Sequence, residues 1–293
     1  MKRITVLSGK GGVGKSSITA SLAIALSKKE KVICVDCDVD ASNLALVLGL
    51  RQKNFEQWEK ISTNEKAFLD EKKCTGCKKC VEACYFNAIT WNEEKNKPAF
   101  ERFSCEGCGA CQIACPQDAI RLEEVKNAKI GFGKTKHGFL VVSGQLEMGE
   151  SGSGKVVSEV KRMAEEKKEE AKIMLVDAAA GIGCPVIASV TGSDYVIAVT
   201  EPTPSGLSDM KRAIQMVEHF GIPYGIVINK HDLNKEMTKK IEAYAKKKRA
   251  QILTKIPYDK SFSKALVNLK PVILENPGLQ KHFEEIIKKS KIC

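Results

Sequence analysis

No stretch of this 293-residue chain is long enough and apolar enough to span a bilayer. The longest apolar run, Leu44 to Leu50, falls far short of the ~20 residues a crossing helix needs. A secretory leader is also missing: Met1-Lys2-Arg3 runs straight into Ile4-Thr5-Val6-Leu7-Ser8, which reads as a first strand. These absences predict a soluble, cytoplasmic protein with no integral membrane segment. The C-terminus has no prenylation box, and Cys293 is expected to be disordered. Acidic residues are in short supply, 36 Asp and Glu against 47 Lys and Arg, for a net charge of +11. Such a balance attracts anions of many kinds and by itself identifies none of them.

What is present is a substantial core and a surplus of cysteine. A hydrophobic fraction of 43% excludes disorder as the default. Twelve cysteines would suggest a disulfide framework in a small secreted chain; in a long chain without a leader they point to metal. Eight of them lie between Cys74 and Cys115, in two runs related by a spacing of 31 residues. Residues 66–125 hold nine Lys and Arg against ten Asp and Glu, so the basic excess sits elsewhere.

The flanking sequence alternates strands with helices. Ile4–Leu7, Val32–Val35, Phe139–Ser143, Lys172–Val176, Val196–Thr200 and Gly225–Asn229 read as buried strands. Ser16–Ser27, Lys155–Glu170 and Ser208–Phe220 read as helices, and a further helix is expected before residue 65. The fold class is therefore α/β, with a mainly parallel sheet covered by helices. Residues 1–65 and 126–293 read as one discontinuous domain, interrupted by a small α+β insert at 66–125.

Gly9-Lys10-Gly11-Gly12-Val13-Gly14-Lys15-Ser16 fits G-x-x-x-x-G-K-[ST], with Ser17 following. The glycines let several backbone N–H groups point at one phosphate. Lys15 supplies a point charge for the β and γ phosphates, and the Ser16 hydroxyl is placed to ligate Mg²⁺. The strand before and the helix after aim a positive helix end at the same anion. A second glycine-rich match, Gly149 to Lys155, is followed by Val156 and reads as a polar loop capping a helix.

The extra Lys10 makes the loop resemble the deviant phosphate loop of the MinD/ParA/nitrogenase-iron-protein ATPases. VICVDCDVDASNL (32–44), IMLVDAAAGIG (173–183), GIVINKHD (225–232) and IPYDKSF (256–262) resemble further motifs of that group. With the insert, the chain is similar to MinD-superfamily ATPases that contain an inserted ferredoxin domain. The resemblance implies a P-loop NTPase fold and a slow, dimer- or partner-dependent ATPase that uses ATP and Mg²⁺ and forms a homodimer when ATP is bound. It implies that Lys10 reaches the partner's phosphates, that Asp38 orients or activates the attacking water, that Asp36 and Asp177 sit near Mg²⁺, and that Asn229 reads the adenine edge. One departure stands out: Ala178-Ala179-Ala180 follows Asp177 where such switch segments often carry proline.

Both cysteine runs match the bacterial ferredoxin spacing C-x-x-C-x-x-C-x-x-x-C, in which the fourth cysteine ligates the other cluster. One [4Fe–4S] cluster is thus expected on Cys74, Cys77, Cys80 and Cys115, and a second on Cys84, Cys105, Cys108 and Cys111. Tyr85 stands where the second run has Pro116, a difference that does not touch a ligand. Cys34 and Cys37 read as packing residues. Cys184 follows Asp177 by seven residues, the offset of a cluster ligand in the nitrogenase iron protein, but a second ligand has no counterpart around 145–160. It is a candidate redox or metal relay.

The function these features predict couples nucleotide-driven dimer closure to electron transfer through the two clusters, toward an unidentified redox or metallocofactor-assembly partner. An ATP-dependent carrier for metallocofactor assembly and a ParA/MinD-like positioning ATPase are the alternatives. Nucleic acid is not an expected partner.

Overall fold

The computed structural model describes residues 1–292; Cys293 lies outside them. The chain forms two compact units, one of residues 1–59, 130–145 and 153–293 and the other of 60–129 and 146–152. In chain order the strands are β1 (Lys2–Ser8), β2 (Val32–Cys37), β3 (Gln57–Leu69), β4 (Ile89–Asn92), β5 (Lys97–Phe100), β6 (Ile120–Lys134), β7 (Leu140–Leu146), β8 (Ile173–Ala180), β9 (Tyr195–Thr200), β10 (Tyr224–Asn229) and β11 (Gln251–Ile256). The helices are α1 (Lys15–Ser27), α2 (Leu44–Val47), α3 (Lys79–Glu82), α4 (Ala110–Ile113), α5 (Ser153–Lys167), α6 (Cys184–Val190), α7 (Pro204–His219), α8 (Lys235–Lys247), α9 (Ser261–Val267), α10 (Val272–Glu275) and α11 (Gln280–Ser290). No helix among the described residues is long and apolar enough to cross a membrane.

The main sheet has the order β11-β10-β9-β1-β8-β2-β7-β6-β3, and every pairing from β11 through β7 is parallel. Parallel strands are buried on both faces, which is why β1, β2, β8, β9 and β10 are near-continuous apolar runs. Successive residues alternate between two cores. Ile4, Val6, Ile197, Val199 and Val227 join α1, α2, α10 and α11 on one face. Leu7, Val196, Ala198, Ile226 and Ile228 join α7 and α8 on the other. Each Leu or Ile so enclosed contributes about 1.5–3 kcal/mol. Helix α1 is buried almost all round, because α2, α10 and α11 cover the side the sheet does not.

The connections place a crevice at the carboxyl ends of the strands. From β1 the chain passes to β2 on one side; β8 then fills the gap, and β9 lies on the other side of β1. Such a reversal leaves an opening above β1, where open α/β sheets bind ligands.

The helix expected before residue 65 is a single turn. Gly49, at φ 80°, closes it in a Schellman motif: Leu50 N donates to Ala45 O and Gly49 N to Leu46 O, both at 2.9 Å. The following residues form the long strand β3 instead.

The smaller unit is built on its internal repeat. Helices α3 and α4 occupy matching places 31 residues apart, each entered from a left-handed residue, Lys78 at φ 61° and Gly109 at φ 78°. Left-handed turns recur at Gly76 and Gly107, and at Asn87 and Asp118. β4 and β5 pair as an antiparallel hairpin. The core consists of Ala67, Cys80, Ile89, Cys111 and Ile120, so two of its five buried members are cysteines.

Candidate functional site

In the larger unit, residues 9–14 bridge the end of β1 to the start of α1. Gly14 has φ 93°, and a Cβ there would lie 2.6 Å from Asn229 Nδ2; a Cβ on Gly9 would lie 2.3 Å from the Asp209 backbone. Only glycine fits at either position. No side chain caps the first turn of α1, so its N–H groups and the positive end of its dipole face the crevice. The walls of the crevice include Gly11, Gly12, Gly14, Lys15, Ser16, Ser17 and Asp38.

The floor is a buried ionic cluster. Asp177 accepts from Ser16 Oγ at 2.6 Å and from Thr19 Oγ1 at 2.7 Å, and its Oδ2 lies 2.9 Å from Lys15 Nζ. Asp36 stands opposite Asp177 in the β2–β8 register and accepts from Leu44 N at 3.0 Å and Asp38 N at 3.2 Å. Burial, then the charge of Asp177, pushes the Asp36 carboxyl well above the usual carboxylate range, against the opposing pull of Lys15. Burial also raises Asp38, again against Lys15. Two carboxylates around one ammonium, with the Ser16 hydroxyl beside them, suit a divalent cation, which favours hard oxygen donors.

The structure thus brings Lys15, Ser16, Asp36, Asp38 and Asp177 together. Asn229 packs against the loop: its Nδ2 donates to Val13 O at 2.8 Å, and Lys230 N donates to its Oδ1 at 3.0 Å. Lys10 is folded onto its own chain, 3.0 Å from Glu201 and donating to Ser205 Oγ at 3.2 Å. Glu201 also pairs with Lys230 at 2.8 Å. Burial favours the neutral form of Glu201, but the bonds from Lys230 and Lys10 outweigh it and hold the carboxyl below its usual range. Glu201, Lys230 and Thr19 are not among the expected site residues: Thr19 lies 158 residues from the Asp177 it donates to, and Lys230 falls inside GIVINKHD with no role expected of it.

The three alanines after Asp177 continue β8. Ala178 pairs with Cys37, Ala180 pairs with Ser8, and Gly181 N donates to Ser8 O. A proline among them could not donate to this ladder. Cys184 is exposed at the first position of α6, and no group of three metal-ligating side chains forms around it among the described residues. Cys34 and Cys37 are fully enclosed, and burial raises the Cys37 thiol to about 12, so both are inert.

In the smaller unit the eight cysteines line two small cavities. Cys74, Cys77, Cys80 and Cys115 line the first, with Leu69, Trp91, Pro98 and Ile120. Cys84, Cys105, Cys108 and Cys111 line the second, with Ala67, Ile89, Phe100 and Leu122. The fourth cysteine of each run has its sulfur bonded by a backbone N–H four residues on: Ala88 N to Cys84 and Ala119 N to Cys115, both at 3.3 Å. No three His, Cys, Asp or Glu side chains among the described residues converge as a single ion requires. A zinc site draws its sulfurs to about 2.3 Å from one ion. A [4Fe–4S] cube takes one cysteine thiolate at each of its four irons, and four cysteines line each cavity, so the residues present match such a group in number and kind.

The family model described as CobQ/CobB/MinD/ParA nucleotide binding domain matches residues 4–272. An uncharacterized protein of Methanocaldococcus jannaschii is 36% identical over 290 residues, covering 99% of this chain and 96% of its own. A second from the same organism is 31% identical over 258 residues, 80% of this chain and 82% of its own. Among solved structures, the septum site-determining protein MinD from Pyrococcus horikoshii, complexed with Mg-ADP, matches with a TM-score of 0.59 at 19% identity, covering 98% of this chain and 95% of that one. The likeness establishes an α/β P-loop NTPase fold.

Proposed function

The chain belongs to the CobQ/CobB/MinD/ParA nucleotide-binding-domain family, and on that premise we propose that it is an iron–sulfur ATPase, holding one [4Fe–4S] cluster in each cysteine-lined cavity and coupling ATP turnover to electron transfer through them. It is an ATPase of the MinD/ParA type. The observation that carries the iron–sulfur reading is the sorting of eight cysteines into two sets of three plus one, with the fourth exchanged between runs.

The loop N–H groups, the α1 terminus and Lys15 bind the triphosphate and spread its charge. Ser16 and the carboxylates of Asp36 and Asp177 would hold Mg²⁺, which neutralises charge on the β and γ phosphates. Asp177 also fixes the Ser16 hydroxyl and the Lys15 ammonium, so that neither needs to reorganise as charge shifts. Asp38, on the crevice wall, orients the attacking water. Lys10, released from Glu201, serves a second chain's phosphates in an ATP-bound homodimer. The clusters would supply one-electron chemistry; the cysteines hold them and the apolar walls exclude water.

If Asp38 accepts a hydrogen bond from that water, it must be ionised. Its raised pKa then places the acid limb of the ATPase profile above the usual carboxylate range, with activity lost as pH falls through it. Asp38→Asn lowers kcat by about 100-fold or more and removes that limb; a pH–rate profile with the limb unmoved in the variant contradicts the role.

Anaerobic reconstitution followed by EPR tests the proposal as a whole. The expected result is about eight irons per chain, with spectra or midpoints that change when Mg·ATP is added. A second reading, a positioning ATPase indifferent to cluster removal, is favoured by the fold likeness to MinD. It gains if the iron is taken up and nucleotide leaves the spectra unchanged.

A further inference from the structure

The 31-residue repeat that relates the two cysteine runs extends to a pair of lysines. Lys66 precedes Cys74 by the interval at which Lys97 precedes Cys105. Each ammonium caps the first cysteine of the other run: Lys66 Nζ donates to Cys105 O at 2.7 Å, and Lys97 Nζ donates to Cys74 O. Beyond this the two differ. Lys97 gives a further bond to Glu71 O at 3.0 Å, and no carboxylate pairs with it among the described residues. Lys66 is only 2% exposed and faces Glu150 at 3.4 Å.

Glu150 itself is enclosed, its side chain 1% exposed. One carboxylate oxygen is held by Arg102, with contacts at 2.8 and 2.9 Å. The other, Oε2, makes no hydrogen bond, so at 3.4 Å its link to Lys66 is charge attraction alone. Glu150 lies on residues 146–152, outside the repeat, so the first cavity has no equivalent of it.

We propose that Glu150 is a positioning residue that sets the two clusters apart in reduction potential, acting through Lys66 on the backbone of Cys105. The inference rests on the reading that each cavity holds a [4Fe–4S] cluster. Charge and hydrogen bonding around such a cluster set its potential. Buried charges are screened far less than surface ones. The Lys66 ammonium favours the added electron at the Cys84, Cys105, Cys108 and Cys111 cluster, and Glu150 offsets that effect. The repeat alone would make the two sites alike; the intruding carboxylate makes them unequal.

The test is an EPR-monitored redox titration of the full-length reconstituted protein. Glu150→Gln raises one midpoint and leaves the other in place. Arg102→Gln, at a half-exposed side chain, leaves the Glu150 charge less compensated and lowers the same midpoint. Opposite shifts at one cluster are what a merely structural role would not give. Lys97→Met, the control, lowers the other midpoint. Placing Glu150→Gln in a Cys115→Ala background, which retains the second cluster, preserves the shift. Equal movement of both midpoints, or movement of neither, overturns the proposal. Wild-type protein that takes up no iron defeats the underlying reading and this inference with it.

Discussion

Cys115→Ala loses about half the iron of the reconstituted protein, and the half it loses is that of Cys74, Cys77 and Cys80. Cys84→Ala loses the other half, that of Cys105, Cys108 and Cys111. The assignment follows from the cavities, in which each run of three faces the fourth cysteine of the other run. Iron analysis and the EPR signature of the surviving cluster read it directly. The crossed pairing is visible in double variants: Cys115→Ala with Cys74→Ala costs no more iron than either alone, whereas Cys115→Ala with Cys105→Ala removes nearly all of it. The reverse pattern would mean that each run closes on its own fourth cysteine. Cys184→Ala, outside both cavities, leaves the iron count unchanged.

The second large effect concerns Lys15 and Asp177. Their side chains are 6% and 0% exposed and lie 2.9 Å apart. Asp177→Ala leaves the ammonium buried without its counter-charge, which costs about 3–5 kcal/mol of stability. It also frees the Ser16 and Thr19 hydroxyls that Asp177 accepts from, so ATP hydrolysis falls by at least about 100-fold. The double variant Lys15→Met, Asp177→Leu removes both charges, and most of the lost stability returns while hydrolysis stays absent. Denaturant melts and ATPase assays on the wild type and the two variants separate the two effects. If the double variant is no more stable than Asp177→Ala, the stranded charge was not the cause.

Much of this was legible in the sequence because the signals are local. A glycine loop between a strand and a helix, apolar runs of strand length and two cysteine runs each fall within a short window. What the sequence concealed was of two kinds. Long-range braces leave no local mark: Lys66 reads as one lysine among 47 basic residues, and only the fold encloses it beside Glu150. Strand β3 was concealed differently. Ile61, Thr63, Ala67 and Leu69 alternate correctly, but Glu65 interrupts the inward series and charged residues stand between. Half-exposed edges of a sheet blur the period-2 pattern that buried strands do not need. The bond from Asn229 Nδ2 to Val13 O left no mark in the sequence, because a motif gives a position along the chain and not which way an amide turns.

The exchanged fourth cysteine makes the halves of the smaller unit hostages to one another. Neither 31-residue half could be trimmed away to leave a simpler, single-cube protein. The survivor would keep three sulfurs and lose both the fourth and the lysine that braces its first cysteine, since Cys115 and Lys97 serve one chamber and Cys84 and Lys66 the other. Removing either half therefore undoes both chambers, whereas a single substitution such as Cys115→Ala undoes only one, so an engineer wanting one chamber must blunt the other in place rather than delete it.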